Sequence, residues 1–241
     1  MNPILVYCKR DLIRWFRGRW GFISAMVMPA AWLIFVGLAL PIRFTDHYID
    51  FVTPGILAMT ILSASLAGGG LLIMDRMLGF FNKFLALPPP RESILFGKIL
   101  VITIRGLIQS TIILCIAFLL GARIYSPVQL VFTYFILFIF GALLSSCATT
   151  LAIHVGDHDQ YAAVNAMISM PIFFTSSAMM PYDQMPAWLQ PVAHVNPLSF
   201  AIDGIRFIQA GTIPVFQLTI LSLLCILVLG LSVHVFRKVK L

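Results

Sequence analysis

The chain predicts an all-α integral membrane fold with six transmembrane helices, and three observations predict it. Of its 241 residues, 60% are hydrophobic and only 10% charged, with a mean hydropathy of +0.99, far from the balance of a soluble domain. The apolar residues gather into six runs, each near the roughly 20 residues that a hydrocarbon core of about 30 Å asks of a helix. The runs do not alternate polar with apolar residues, so they are helices rather than barrel strands.

Residues 1–19 precede the first run. Leu5, Cys8, Leu12, Trp15 and Phe16 recur at helical spacing on one side, with Arg10, Arg14 and Arg17 on the other. Such a helix lies in the headgroup region, its rings in the acyl boundary and its cations on phosphates. It serves either as a topogenic anchor, with Arg10, Arg14, Trp15 and Arg17 as the anchoring residues, or as a lever along the membrane surface. The first span is expected over Trp20–Leu40 and the second over Val52–Met74. The first begins too far in and runs too long for the apolar core of a cleavable signal.

A polar insertion at 75–98 then interrupts the apolar pattern: Asp75-Arg76-Met77-Leu78-Gly79-Phe80, Leu87-Pro88-Pro89-Pro90-Arg91-Glu92, and Phe96-Gly97-Lys98. These charges are costly in hydrocarbon and the triple proline breaks a crossing helix, so the segment leaves the membrane. A short helix is expected around Leu78–Leu87. Gly79 would permit close approach to another surface, while Phe80, Phe81, Phe84 and Leu85 give an apolar side that packs under the bundle or meets a partner.

The third span is expected over Ile99–Gly121. Arg105 lies seven residues beyond Lys98, about 10 Å deep at a rise of 1.5 Å per residue, where it snorkels back or touches a substrate. The fourth span, Val128–Ile153, carries small residues four apart, Gly141 with Ser145 and Ala142 with Ser146, which permit close helix contact. His154, Asp157, His158 and Asp159 follow. A metal is conceivable there, but a helix-capping Asp157 or Asp159 explains the turn without one. The fifth span is expected over Tyr161–Met179, and Pro171 in it, like Pro29 in the first, predicts a kink.

Between the fifth and sixth spans, 181–212 holds Pro181-Tyr182-Asp183-Gln184-Met185-Pro186-Ala187-Trp188-Leu189 directly after Met180, then Val195-Asn196-Pro197-Leu198, then Asp203-Gly204-Ile205-Arg206. Asp183 and Asn196 are placed as N-caps, with Pro186 and Pro197 in the first turns, giving two helices of about a dozen residues. They are too polar to span and too apolar for a free loop, so they are expected to dip into the outer leaflet or to form an interfacial aromatic belt. Asp203 and Arg206, three apart, predict a local ion pair. Gly211 ends the second helix, and Pro214 starts the last span, Ile213–Val235.

Twelve of the sixteen Lys and Arg fall on one side: Lys9, Arg10, Arg14, Arg17, Arg19, Arg76, Lys83, Arg91, Lys98, Arg237, Lys238 and Lys240. Basic residues are retained in the cytoplasm, so both termini are expected there. The net charge of +7 reflects topology and attraction to anionic lipid, not nucleic acid. Cys8, Cys115, Cys147 and Cys225 are single and form no disulfide framework. One domain over 1–241 is expected.

Gly97-Lys98 is not a phosphate loop, since upstream glycines are missing and Ile99 stands where a hydroxyl would hold magnesium. Serine-hydrolase and zinc-protease motifs are absent from the sequence, and the expected spans carry no Asp or Glu for a proton relay. No catalytic, cofactor or metal site is therefore expected in this chain.

The run Asp75-Arg76-x-x-Gly79 to Leu87-Pro88, then Arg91 to Gly97-Lys98, resembles the cytoplasmic element of ABC-2 type exporter permeases. Many members have a Gly-Thr or similar pair and one proline, where this chain has Gly79-Phe80 and three. The Pro-x-x-x-Met-Pro-x-Trp pattern at 181–188 and Asn196-Pro197-Leu198 match the same family. The resemblance implies a coupling helix between spans two and three that seats in a cleft of a separate ATPase subunit, through Asp75, Arg76, Gly79, Lys83, Pro88, Arg91, Gly97 and Lys98. It also implies an external gate of re-entrant helices carrying Pro181, Met185, Pro186, Trp188, Asn196, Pro197, Asp203 and Arg206. ATP and magnesium would sit on the partner, and two permease copies, as a homodimer among membrane lipids, would move an amphipathic, drug-like or lipid-linked cargo. Both the drug-efflux branch of daunorubicin-resistance type and the lipo-oligosaccharide and polysaccharide exporters are similar. The alternatives are an ion-gradient-driven carrier and a membrane-embedded enzyme.

Overall fold

The computed structural model describes residues 3–35, 48–79, 92–123 and 125–238, and the described residues are helical with no strand among them. In chain order the helices are α1 (Pro3–Arg17), α2 (Arg19–Ile34), α3 (Tyr48–Gly68), α4 (Gly70–Met77), α5 (Glu92–Leu119), α6 (Pro127–His154), α7 (His158–Phe174), a 3-10 turn at Tyr182–Gln184, α8 (Gln190–Val195), α9 (Pro197–Gln209) and α10 (Val215–Lys238).

Four helical stretches among the described residues are long and apolar enough to cross a membrane: Tyr48–Met77, formed by α3 and α4 together, then α5, α6 and α10. Six were expected. The first expected span is an apolar helix over Trp20–Ile34, shorter than a crossing, and residues 36–40 lie outside the described residues. The fifth ends at Phe174 after 17 residues, five short of the expected Met179. There Asn196 Nδ2 donates to Ile172 O (2.7 Å) and to Thr175 Oγ1 (3.0 Å), so a side chain from a later segment takes up the helix end.

The central helix is α3, whose residues from Val52 to Leu66 are largely buried because α5, α6, α7 and α9 all pack on it. At its C-terminal end Gly68-Gly69-Gly70 lets three neighbours close in: a Cβ on Gly69 would stand 2.6 Å from Ala148 O of α6 and 2.7 Å from Tyr161 Cζ of α7, and one on Gly68 would stand 2.7 Å from Ile102 Cγ1 of α5. The Tyr161 hydroxyl donates to Leu66 O. The small residues of α6 meet the same centre, with Gly141 against Thr103 and Ile61 and Ser145 Oγ 3.3 Å from Ser65 Oγ, the close contact that the four-residue spacing predicts. By contrast α10 is peripheral and exposes Leu223, Ile226, Leu227 and Leu231, as a helix facing lipid does.

Helix ends follow the expected chemistry. Ser126 and Gln129 form a capping box on α6, with Pro127 at its first position. Asp157 Oδ1 accepts from Gln160 N (2.7 Å) at the start of α7, so the His-Asp turn contains a helix cap. Asn196 caps α9 by accepting from Leu198 N (2.9 Å), and Gly211, with φ of +82°, follows its end. Asp183 is no N-cap: it lies inside the 3-10 turn, and α8 is only six residues, because Pro191, interior to a continuous dozen-residue helix, would deny it an amide hydrogen and is instead accommodated in the first turn of α8.

Candidate coupling and gate sites

The amphipathic pattern of α1 sets its buried face. Tyr7, Cys8, Asp11 and Trp15 point inward at helical spacing, while Leu5, Ile13 and Phe16 are exposed. Trp15, expected in the acyl boundary, is 8% exposed; Trp20, at 84%, is the outward tryptophan. Arg14 and Arg17 remain exposed. Gly97 explains the approach of α1 to α5, since a Cβ there would stand 2.9 Å from Tyr7 Cβ.

Between α1, the end of α4 and the start of α5 lies a buried ion cluster. Asp75, Lys98 and Asp11 are 1%, 3% and 6% exposed. Lys98 Nζ donates to Asp11 Oδ2 (2.6 Å) and also to Asp75 Oδ2. Arg10 Nη2 lies 2.5 Å from Asp11 Oδ1 and 3.3 Å from Asp75 Oδ2, and Arg14 Nη1 lies 3.4 Å from Asp75 Oδ1. Burial pushes the Asp11 carboxyl up, but the charges and hydrogen bonds of Lys98 and Arg10 more than offset this and hold it below its usual range. An ion pair removed from water survives only with such dense pairing.

The neighbouring Arg76 turns the other way. Its Nη1 donates to Ile153 O (3.0 Å), Ala152 O (3.3 Å) and Val155 O (3.4 Å), closing the carbonyl end of α6 where a cation also suits the helix dipole. Of the short helix expected around Leu78–Leu87, residues 80–87 lie outside the described residues; α4 stops at Met77, Leu78 caps it, and Gly79 turns with φ of +70° and nothing within 4 Å of a Cβ among the described residues. Among the described residues Gly79 serves the turn. Lys83, Pro88 and Arg91 lie outside the described residues. Glu92, at the other edge of that segment, accepts from Arg237 Nε of α10 (2.7 Å).

At the opposite end of α3, the predicted pair Asp203–Arg206 forms at 3.7 Å within a larger network. Tyr182 OH donates to Asp203 Oδ2 (2.5 Å) and Ser177 Oγ to Asp203 Oδ1 (2.9 Å). Arg206 Nη2 donates to Ser177 O (2.8 Å) and Phe51 O (3.2 Å), with its guanidinium 3.9 Å over the Phe51 ring. Tyr182 stacks on His194 at 4.1 Å. A cavity of 880 Å³ opens beside this network, lined by Pro181, Tyr182, Asp203, Arg206, Phe207 and Phe216. Met185 is buried and Trp188 is 72% exposed.

Sequence reasoning missed Asp11, Tyr182 and Ser177. For Asp11 a signal existed: it is an acid three residues after Cys8 and four before Trp15, on the apolar side of a basic helix, where only a buried cation makes it tolerable. For Tyr182 and Ser177 the pairing is wholly tertiary.

The ABC-2 type transporter family matches residues 3–210, from the first helix to just past α9. The protein named transport permease ycf38 of Cyanophora paradoxa is 32% identical over 230 residues, which cover 92% of this chain and 79% of that one. Its namesake in Porphyra purpurea is 32% identical over 199 residues, 79% of this chain and 68% of the other. The daunorubicin resistance ABC transporter permease protein DrrB1 of Streptomyces coeruleorubidus is 24% identical over 194 residues, 79% of this chain and 69% of its own. With that match laid over apolar helices long enough to cross a bilayer, the chain belongs to the ABC-2 type transporter family and is a membrane protein of permease type.

Proposed function

We propose that the chain is the membrane subunit of an ABC exporter, energised by a separate ATPase subunit that binds ATP and magnesium, and that it works as a homodimer with six crossings per copy and both termini cytoplasmic. The observation that carries this reading is the buried ion cluster. It joins α1 to the end of α4 and the start of α5, the two helix ends that flank residues 80–91. A partner pressing on that segment would move both helix ends, and α1 would follow, because separating the cluster strands buried charge. Asp75, Lys98 and Gly97 then act as the internal fastening of the coupling segment, while Lys83, Pro88 and Arg91 belong to the part that meets the ATPase. Arg76 carries the displacement to α6.

On the far side, residues 181–212 with the Asp203–Arg206–Tyr182 network form the external gate, packed on α3 through Phe51. The two bundles shift at their shared seam and cargo leaves past this gate. The drug-resistance names of relatives such as DrrB1 support an amphipathic, drug-like cargo.

The test is co-purification of a phosphate-loop ATPase with the tagged chain, followed by joint charge reversal at Arg76, Lys83 and Arg91. Hydrolysis without export is the expected outcome, with membrane insertion intact. Unchanged export would remove the coupling role, and full-speed transport by the chain without any ATPase would end the whole reading.

A further inference from the structure

A second cavity, of 520 Å³, lies between α2, α3, α5 and α7. Arg105 of α5 faces it, two helical turns inside the bundle from Lys98. Its guanidinium lies 4.9 Å from the Trp15 ring centroid, but its buried Nε finds no hydrogen-bond partner among the described residues, and no carboxylate there pairs with it. Asn165 Oδ1, on another wall, is buried and likewise unpartnered. Gln109, 5% exposed, sits one turn beyond Arg105 and lines the same space. A guanidinium inside an apolar bundle is costly unless an anion and hydrogen bonds compensate it, and the ring face offsets only part of that cost.

The other walls are mostly apolar and adaptable, with Ser24, Ser63 and Ser169 among them. Met28 of α2 and Met59 of α3 line the same cavity, and Met28 and Met170 are exposed partway along α2 and α7. Its volume suits a headgroup with the start of a chain rather than a bare ion. We infer that this cavity binds the anionic headgroup of an amphiphile: Arg105 pairs with a phosphate or carboxylate in fork geometry, Gln109 and Asn165 complete its hydrogen bonds, and the hydrocarbon chain leaves past Met28 and Met170. Bilayer lipid and incoming solute share that chemistry. The inference needs neither an ATPase nor export, so it stands or falls apart from the coupling reading.

The test is native mass spectrometry of the full chain released from neutral detergent, with phosphatidylglycerol, phosphatidylcholine, dodecyl phosphate and inorganic phosphate as probes. Wild type should retain phosphatidylglycerol over phosphatidylcholine, or, if the ligand is a solute, bind added dodecyl phosphate while retaining neither lipid. In either case Arg105→Gln should weaken dodecyl phosphate binding at least ten-fold, and Arg105→Lys by less. Gln109→Leu should weaken it several-fold at an unchanged unfolding temperature, which decides the matter should Arg105→Gln fail to fold. Equal dodecyl phosphate affinity in wild type and Arg105→Gln would overturn the inference. So would inorganic phosphate binding as tightly as dodecyl phosphate, or wild type binding none of the anionic probes above the neutral lipid.

Discussion

Lys98 Nζ stands 2.6 Å from Asp11 Oδ2 across 87 residues of sequence, and the same nitrogen bonds Asp75 at the far edge of the segment that Lys98 itself closes. One buried ammonium thus holds the N-terminal helix to both ends of the polar insertion.

Removing that ammonium alone should be severe. Lys98→Ala leaves two buried carboxylates facing each other with only the arginines, and breaking a buried pair costs about 3–5 kcal/mol. Asp11→Asn should cost less, because Lys98 keeps Asp75. The two changes together should be clearly non-additive, as for groups in one network. Unfolding temperature in detergent, read as a double-mutant cycle, checks this; strict additivity would mean the cluster does not act as a unit.

Acid should loosen α1. The Asp11 carboxyl is held below its unfolded value by Lys98 and Arg10 against the opposing effect of burial, so its stabilisation is complete above the unfolded value, about 3.9, and fades as pH falls through the lower folded one. Protease cutting between α1 and α2, followed from pH 7 downward, should rise steeply below about pH 4. Asp11→Asn should cut more readily at neutral pH and show a flatter profile.

Two glycines flanking the insertion should respond differently. Gly97→Val forces a side chain against Tyr7, whose Cβ lies 2.9 Å from the new Cβ position, and should part α1 from α5. Gly79→Ala meets no atom of the described residues within 4 Å but holds φ of +70°, a strain of about 1–2 kcal/mol. A cysteine pair joining α1 to α5 should form more slowly in Gly97→Val and at the wild-type rate in Gly79→Ala.

Asn196 serves two helices at once. It caps α9 through Leu198 N and takes up the end of α7 through Ile172 O. Asn196→Asp keeps the cap but cannot donate to Ile172 O; Asn196→Ala loses both, the cap alone being about 1 kcal/mol. Melting temperatures should therefore rank wild type, Asp, then Ala. An equal loss in both variants would place all the effect on α7.

Composition and apolar run length sufficed to establish helices in a membrane, and local pattern the cap at Asn196 and a cap at Asp157 or Asp159, because each depends on residues within a few positions of one another. The Asp203–Arg206 pair was readable for the same reason, lying three apart on one helix. The ends of the second and fifth expected spans were less legible, since Tyr48–Met77 continues past the first charges and α7 is stopped by Asn196 from 24 residues away. Only the folded chain decides that Asp75 and Lys98 turn inward to Asp11 while Arg76 closes α6, that Trp15 lies beneath α1 against Arg105, and that Tyr182 and Ser177 hold Asp203. A charge shows its cost in the local sequence, but the partner that compensates it is chosen by the packing of distant helices.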